Sequence, residues 1–291
     1  MHRPSRARLS PFLVGLSGIS GAAPAALCLL AALLAGVGAP ARAAEPLVFT
    51  TAPTQPPEQT RKMYQPLVDH LSAVTGVEIR LQPARTFLEY TLNMRKGVYD
   101  MYFDGPQFVG WRMDHQGHQL LAKLPGAIRF VVVVRTETGI REVAQLAGKP
   151  VCGFASPNLL TLGFLDLFPS AASQPAMVKS GTFKGALECV RSGRGVAAVM
   201  RDKFWEKRKP AEREGLRLIH TSEPYPHRAF SVAGTVGPAL VASLRAALLA
   251  DGAREAGAPI LKRFRSPSFV PAAAEEYRGM GRLLSSVWGF D

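Results

Sequence analysis

Alternating apolar and amphipathic stretches predict a chain that passes repeatedly from strand to helix. "PLVFTTAP" is a short apolar run, and the segment from Pro57 to Gly76 carries apolar residues at helical spacing. "VEIRLQPA" predicts a second strand, "TFLEYTLNMRKG" a second amphipathic helix and "VYDMYFDGP" a third strand. This order is typical of an α/β lobe whose strand ends converge on one edge.

The second half of the chain repeats this pattern. "IRFVVVVRTETGI", "PVCGFA" and "VAAVM" predict strands, and amphipathic helices are predicted to begin after "ASPN", "SGT" and "MRD". "PALVASLRAALLA" is a further amphipathic helix, and the last thirty-odd residues predict a loop and a closing helix. The sequence therefore predicts an α/β chain, which its length allows to be one large domain or two lobes.

The N-terminal residues have the pattern of a secretory signal peptide. Arg3, Arg6 and Arg8 precede an uncharged run from Ala25 to Ala39, and small residues lead to Ala43. We expect residues 1–43 to be removed by cleavage after Ala43. The alternative is an uncleaved membrane anchor, but the run is shorter than the ~20 residues a span needs.

Charge restricts the classes of partner. The whole chain carries a formal charge of +13, and removal of four arginines with the signal peptide leaves 13 − 4 = +9. A basic exported protein can meet anionic small molecules or membrane surfaces. The basic run "DKFWEKRKPAERE" contains interleaved acids, which favours a solvated helix face over a nucleic-acid patch. We expect no nucleic-acid partner.

Cys152 and Cys189 are the two cysteines of the predicted mature chain. In an oxidising compartment an even pair predicts a disulfide bond. Two separately buried thiols are the alternative.

Candidate ligand-binding residues lie where predicted strands end. "ASPNLLT" supplies Ser156, Asn158 and Thr161 at a helix start, where hydroxyl, amide and backbone donors could hold an anion. Simple helix capping is the alternative for Ser and Asn. Arg201 directly follows the strand "VAAVM" and could bind an acidic ligand, or form a surface salt bridge instead.

"DGPQF" interrupts the third predicted strand and raises the same question. Either it is a plain turn, or Asp104, Gly105, Pro106 and Phe108 contribute to a ligand site at the strand end. Asp104 would oppose an anion but could accept a hydrogen bond from an amine, a hydroxyl or a protonated phosphonate oxygen. The remaining candidates are a strand-end hydroxyl and two aromatic residues that could otherwise belong to the core: Thr51, Phe87 and Phe183.

Motifs for catalysis and metal binding are weak. His115 and His118 have a spacing that can bind a metal on a helix, with Asp114 beside them, but no further ligand stands at a recognised spacing. No nucleotide-binding glycine motif or serine-hydrolase motif is found at a strand–helix junction. We therefore expect a protein without a cofactor or metal and without enzymatic activity.

Several segments, in order, are similar to those of a known family. "KGVYDMYFDGPQFV" is similar to its G-x-x-D-hydrophobic-G-P-x-x-(Tyr/Phe) segment, and "RTETGIREVAQLAGKP" to its S-G-I…L-x-G-K segment. "ALECVRSGRGVAAVM" and "FVPAAAEEYRGM" match two later segments. The chain thus resembles, over almost its whole mature length, the PhnD-like substrate-binding proteins of ABC importers for phosphate, phosphite and phosphonate.

The resemblance implies a type II periplasmic-binding-protein fold, with two α/β lobes closing over a ligand. Residues 44–128 and 232–291 would form lobe 1 and residues 129–231 lobe 2, with crossings near 128–133 and 222–231. "DGPQF" would then be a loop of the ligand cleft.

The resemblance also implies a changed ligand site. The family's Ser-Thr-Ser-Gly run corresponds here to the segment from Ser156 to Leu160, and a histidine common in the family is replaced by Phe183. An acid usual in the family falls at Gly195 or Val196. A phosphonate with few donors would keep unpaired oxygens, which is costly when buried. We expect an organic anion or zwitterion with an apolar part.

The sequence therefore predicts a soluble, monomeric periplasmic binding protein that closes by a hinge motion and docks on an ABC permease of the inner membrane. A periplasmic ligand-sensing subunit for a membrane receptor is the first alternative. An enzyme on the same fold, using Asp104 and Arg201, is the second.

Overall fold

The computed structural model describes residues 45–287 and residue 290. The predicted signal peptide and its cleavage site at Ala43 lie outside these residues. The chain from Ala44 onward forms one compact unit. Among the residues that the structure describes, no helix combines the length and the apolar character that a membrane crossing requires.

Twelve strands and ten α-helices alternate through the described residues. The strands are β1 (Leu47–Thr50), β2 (Ile79–Leu81), β3 (Met101–Asp104), β4 (Gln119–Lys123), β5 (Ala127–Ile128), β6 (Phe130–Arg135), β7 (Pro150–Gly153), β8 (Ala176–Lys179), β9 (Ala197–Arg201), β10 (Leu216–Thr221), β11 (Tyr225–Pro226) and β12 (Ala229–Val232). The helices are α1 (Pro57–Thr75), α2 (Phe87–Arg95), α3 (Pro106–Gln116), α4 (Leu159–Leu165), α5 (Phe183–Arg191), α6 (Asp202–Glu206), α7 (Pro210–Arg213), α8 (Pro238–Leu249), α9 (Asp251–Ala256) and α10 (Ala258–Phe264).

The first sheet has the strand order β2-β1-β3-β12-β4. β1 runs parallel to β2 and β3, whereas β12 is antiparallel to β3 and β4. Helix α1 begins at Pro57, as the sequence predicts, and ends before Gly76, whose φ of 69° is accessible to glycine without strain. Its buried face joins Phe49, Phe103 and Phe230 of the sheet in one hydrophobic core.

The second sheet has the order β10-β6-β9-β7-β8. β7 is parallel to β8 and β9, and β6 and β10 complete the sheet by antiparallel pairing. Cys152 of β7 and Cys189 of α5 are joined by a disulfide bond across a Cα–Cα distance of 6.1 Å, within the range for such bonds. The predicted cysteine pairing is confirmed.

A short two-stranded ribbon connects the two sheets. β5 leads from the first sheet to the second, β11 leads back, and the two strands pair antiparallel. The chain therefore crosses between the sheets twice, side by side. The predicted lobe boundary at residue 231 falls inside β12, whose residues pair with the first sheet from Ala229 onward.

Two local predictions are corrected by the structure. "DGPQF" is not a plain loop, because Pro106 is the first residue of α3, a position that suits its missing N–H group. The predicted closing helix is replaced by the 3-10 turns Ala274–Glu276 and Met280–Leu284. The second turn packs directly on α3, and a Cβ atom at Gly110 would lie 2.7 Å from the Gly281 nitrogen. Close backbone packing therefore holds this segment without an α-helix.

Candidate functional site

A cleft of about 1300 Å³ lies between the two sheets. The first-sheet wall consists of the segments after β1 and β3, the start of α2 and the end of α10. The second-sheet wall consists of the ends of β7, β8 and β9 and the helix starts that follow them. Ligands of open α/β sheets bind in such crevices outside the carboxyl ends of the strands.

The structure brings seven of the eleven predicted ligand-binding residues together along this cleft. These are Phe87, Gly105, Phe108, Ser156, Asn158, Phe183 and Arg201. The other four, Thr51, Asp104, Pro106 and Thr161, do not line it. Thr51, Asp104 and Thr161 are instead engaged in contacts inside the protein that the sequence does not reveal.

Asp104 lies inside the protein and not at the cleft surface, which corrects the expectation that its carboxylate faces a ligand. Its side chain is fully buried, and so is that of its ion-pair partner Arg112, whose Nη1 lies 2.9 Å from Oδ2. Oδ2 also accepts a hydrogen bond of 2.5 Å from the Tyr90 hydroxyl, and Oδ1 accepts one of 2.7 Å from the Ala52 amide. Since both oxygens are engaged, the carboxylate holds the Ala52 backbone, which does line the cleft.

The predicted hydroxyl donors are also used internally. Thr51 Oγ1 donates to the carbonyl of Phe103 at 2.7 Å, and Thr161 Oγ1 donates to the carbonyl of Phe154 at 2.7 Å. Asn158 lines the cleft, but its Oδ1 accepts the amide hydrogen of Leu160 at 3.0 Å and so caps α4. The two threonine hydroxyls are therefore engaged inside the protein, whereas the Asn158 amide nitrogen is not used by the cap.

Positive charge dominates the cleft instead. Nine lysine and arginine residues line it, and no aspartate or glutamate does: Lys179, Arg201, Lys203, Lys207, Arg208, Arg228, Lys262, Arg263 and Arg265. Of these nine cations, only Arg201 is among the ligand-binding residues predicted from the sequence. The others were missed because "DKFWEKR" reads as a solvated helix face and because "LKRFR" lies far from the other segments in the chain.

Arg201 and Arg228 both line the cleft and lie close enough for their charges to interact. Burial lowers the pKa of the Arg201 guanidinium and Arg228 lowers it further, although Asp202 opposes both effects. The neighbouring His227 is buried, and its pKa is lowered to about 3 by burial together with Arg201, Arg228 and Lys123. His227 is therefore neutral at pH 7, and its Nδ1 accepts the Arg228 amide hydrogen at 2.8 Å.

Aromatic rings form part of the second-sheet wall. Phe183 contacts Phe154 edge-on at a centroid distance of 5.1 Å and Phe204 at 5.5 Å. The guanidinium carbon of Arg208 lies 4.5 Å from the Phe204 ring centroid. This wall can pack against an apolar or ring-shaped part of a ligand while presenting a cation beside it.

The two walls also touch directly. Gln107, near the start of α3, donates from Nε2 to the carbonyl of Pro157 at 3.0 Å. Its Oε1 is buried and has no hydrogen-bond partner among the described residues. One side chain therefore bridges the walls and leaves an acceptor at the cleft.

The two histidines considered for metal binding do not converge on a site. The His115 ring stacks on Trp111 at a centroid distance of 4.6 Å, whereas His118 is buried against Tyr102. Within residues 45–287 and 290, no group of three or more His, Cys, Asp or Glu side chains is arranged to hold a metal ion.

Residues 49–277 match the model of a family described as "ABC transporter, phosphonate, periplasmic substrate-binding protein". No curated protein matches this chain. The family match spans most of the chain.

Solved structures with the same fold include three informative ones. PhnD1 of Prochlorococcus marinus in complex with methylphosphonate is 17% identical with a TM-score of 0.58, covering 82% of this chain and 97% of that one. XAC2383 of Xanthomonas citri bound to ATP is 17% identical with a TM-score of 0.64, covering 82% and 95%. A binding protein of an ABC phosphonate transporter from Pseudomonas aeruginosa is 12% identical with a TM-score of 0.55, covering 80% and 83%.

Proposed function

The chain belongs to the phosphonate-binding family of periplasmic substrate-binding proteins of ABC transporters, and we propose that it binds an organic phosphorus anion in the cleft between its sheets. Solute binding is the function of this family, and its members work with ABC permeases. The ligand class is supported by one observation above others: nine cations and no carboxylate line the cleft. That distribution favours an anion over a zwitterion, because an ammonium group would meet only positive charge.

The mode of recognition differs from the one that the family resemblance implies. Ser156 and Asn158 stand in place of a hydroxyl-rich run, and Asn158 is occupied as a helix cap. Charge-assisted hydrogen bonds from guanidinium and ammonium groups replace neutral donors, and they are the stronger kind. The structurally similar PhnD1 is in complex with methylphosphonate and XAC2383 is bound to ATP, and both compounds are phosphorus anions.

Ligand would close the two lobes about the β5–β11 ribbon, and the closed form would dock on the permease. The lobes correspond approximately to residues 44–128 with 232–291 and to residues 129–231. We further propose that residues 1–43 direct export to the periplasm and that the mature protein is a monomer without catalytic activity. The buried, fully engaged Asp104 supports the last point, because it is not free to act as an acid or base.

Native mass spectrometry and calorimetry test this proposal. Mature protein from its own periplasm, purified without refolding, should retain an anionic compound. Calorimetry should show binding of that compound or of methylphosphonate, weakened by at least tenfold, or about 1.4 kcal/mol, in Arg201→Ala and Arg228→Ala. Lys62→Ala is the control, since Lys62 is an exposed lysine on α1, outside the cleft. Binding of neutral or cationic solutes alone would refute the proposal.

A further inference from the structure

The cations of the cleft belong to two groups on different parts of the fold. The first-sheet group comes from the residue before β12 and from the end of α10: Arg228, Lys262, Arg263 and Arg265. The second-sheet group comes from the end of β8 and from β9 through α6 and the residues after it: Lys179, Arg201, Lys203, Lys207 and Arg208. Each wall therefore carries its own positive charge, and the charges come together only where the sheets meet.

Most of these charges are not balanced by the protein. Lys203 pairs with Glu206 at 3.0 Å, and Arg208 pairs with Glu212 at 2.9 Å. The remaining seven of the nine have no carboxylate within 4.0 Å among the described residues. A single phosphonate carries at most two negative charges. It would leave most of the cleft's positive charge uncompensated, so the two walls would still repel each other as they approach on closure.

The end of α10 carries an arginine where a glycine is more common. Arg265 follows α10 with φ at 54°, and it is the only non-glycine residue with a positive φ in the described part of the chain. A side chain in this left-handed region costs about 1–2 kcal/mol, which glycine would avoid. The left-handed cap closes α10 through backbone hydrogen bonds from Arg265 to Lys262 and from Ser266 to Leu261. Glycine is the usual residue at such a cap, so arginine at this position adds a cation to the first-sheet group.

The cleft is also larger than a single phosphonate group requires. Its volume of about 1300 Å³ is above the range of roughly 300–1,000 Å³ that is usual for small-molecule sites. The Phe154, Phe183 and Phe204 rings line one side of the second-sheet group. An apolar or ring-shaped part of a ligand can therefore pack against these rings, beside the second-sheet group.

We propose that the ligand is an organic polyanion with at least two separated phosphate- or phosphonate-type groups, one held by each cation group. This deepens the proposed function and rests on it, since it assumes that the cleft is the ligand site. Like charges on the two walls repel each other in the empty cleft. A ligand that carries an anionic group at each end neutralises both walls at once and stabilises the closed form, whereas a single anion neutralises only one.

A series of alkane diphosphonates of increasing chain length tests how far apart the two anionic groups must be. Calorimetry at fixed pH and ionic strength compares methylphosphonate with methane-, propane- and hexane-diphosphonate. At least one longer diphosphonate should bind about 100-fold more tightly than methylphosphonate, because the second group binds intramolecularly. Methanediphosphonate has two anionic groups without the separation, so it should show less of this gain. The comparison therefore separates bridging from simple attraction by higher charge.

Paired variants show whether both walls take part. The double variants Lys262→Ala/Arg263→Ala and Lys179→Ala/Lys207→Ala should each remove most of the diphosphonate advantage. Each double variant should still bind methylphosphonate, because it keeps both Arg201 and Arg228. Lys62→Ala, which removes an exposed lysine paired with Glu58 outside the cleft, should change neither ligand's affinity.

The outcomes distinguish this inference from the proposed function. If methylphosphonate binds as tightly as every diphosphonate, the site holds one anion, and the inference is overturned while the proposed function stands. If the advantage survives in both double variants, the two-wall assignment is overturned. If no phosphorus anion binds the wild-type protein, the proposed function fails as well.

Discussion

At the scale of single residues, the Asp104–Arg112 pair has the clearest structural role. Arg112 is fully buried, contacts Tyr90 and Asp104 through Nη1, and lies 3.7 Å from the Tyr102 ring centroid. The Asp104 carboxylate, held by these contacts, also accepts a hydrogen bond from the Ala52 amide at the cleft wall. A buried ion pair is often no better than well-packed apolar residues, but removal of one partner leaves an unpaired buried charge.

Asp104→Ala and Arg112→Met should each lower the free energy of unfolding by about 3–5 kcal/mol, because each leaves one charged group buried alone. The double variant should cost less than the sum of the two. Urea unfolding of all four proteins measures the coupling, and Lys62→Ala should stay within about 0.5 kcal/mol of wild type. Additive losses would show that the pair acts as two independent contacts.

Arg265 and Arg263 give a pair of substitutions with opposite expected effects on stability. Arg265→Gly relieves the strained left-handed backbone and should raise the free energy of unfolding by about 1 kcal/mol. Arg263→Gly places glycine inside α10 and should lower it by about 1 kcal/mol. Both should weaken anion binding, since both remove a cation from the cleft.

Thermal and urea unfolding, with calorimetry of the same samples, checks this pair. A loss of stability in Arg265→Gly would contradict the strain argument. Unchanged anion affinity in Arg265→Gly would contradict its assignment to the ligand site.

At the scale of elements, the disulfide joins β7 to α5 at the second-sheet wall. Gly195 makes room for it, since a Cβ atom there would lie 2.5 Å from Cys152 Sγ. A larger side chain at position 195 would therefore not fit beside the disulfide. The bond therefore supports the strand and helix whose ends contribute Phe154 and Phe183 to the cleft.

Removal of the bond should destabilise the protein through the unfolded state. For a sequence separation of 37 residues, the chain-entropy account gives a stabilisation of the folded state of about 4 kcal/mol. Cys152→Ala/Cys189→Ala should lose most of this free energy of unfolding, and dithiothreitol should bring wild type to a similar stability. Stability of the double variant should not respond to dithiothreitol. A loss below about 1 kcal/mol would mean that the reduced chain is already constrained.

At the scale of the whole molecule, clustered positive charge affects stability as well as ligand choice. His227 lies among Arg201, Arg228 and Lys123, and with burial these lower its pKa to about 3. Burial and Arg112 likewise lower the pKa of His118 to about 3. Both groups therefore remain neutral in the folded protein at pH values where they are protonated in the unfolded chain.

Stability should fall as the pH falls from about 6.5 towards 3, because the unfolded chain binds protons that the folded chain does not. Each histidine contributes a slope of up to about 1.4 kcal/mol per pH unit. His227→Gln should make the decline shallower than in wild type, and His118→Phe should do so independently. Urea unfolding between pH 7 and pH 4 measures the slopes. Equal slopes in all three proteins would contradict the pKa assignments.

The sequence by itself determined the order of strands and helices from β1 to β3 and, through the resemblance of several segments, the family. Hydrophobic periodicity and the Pro57 and Gly76 boundaries depend on local backbone preferences, so α1 could be predicted to within a residue. The cysteine pairing could be proposed from their number. Seven of eleven predicted site residues line the cleft because strand ends converge in an α/β fold.

Only the tertiary structure decided which charges face the cleft. Asp104 looked like a ligand contact because it stands at a strand end, but Tyr90 of α2 and Arg112 of α3 engage its carboxylate inside the protein. Arg265 and Arg201 are distant in the chain, and their shared location depends on how two sheets are joined through β5 and β11. Sequence patterns report local preferences, whereas the potential of a cleft is a sum over side chains that only folding brings together.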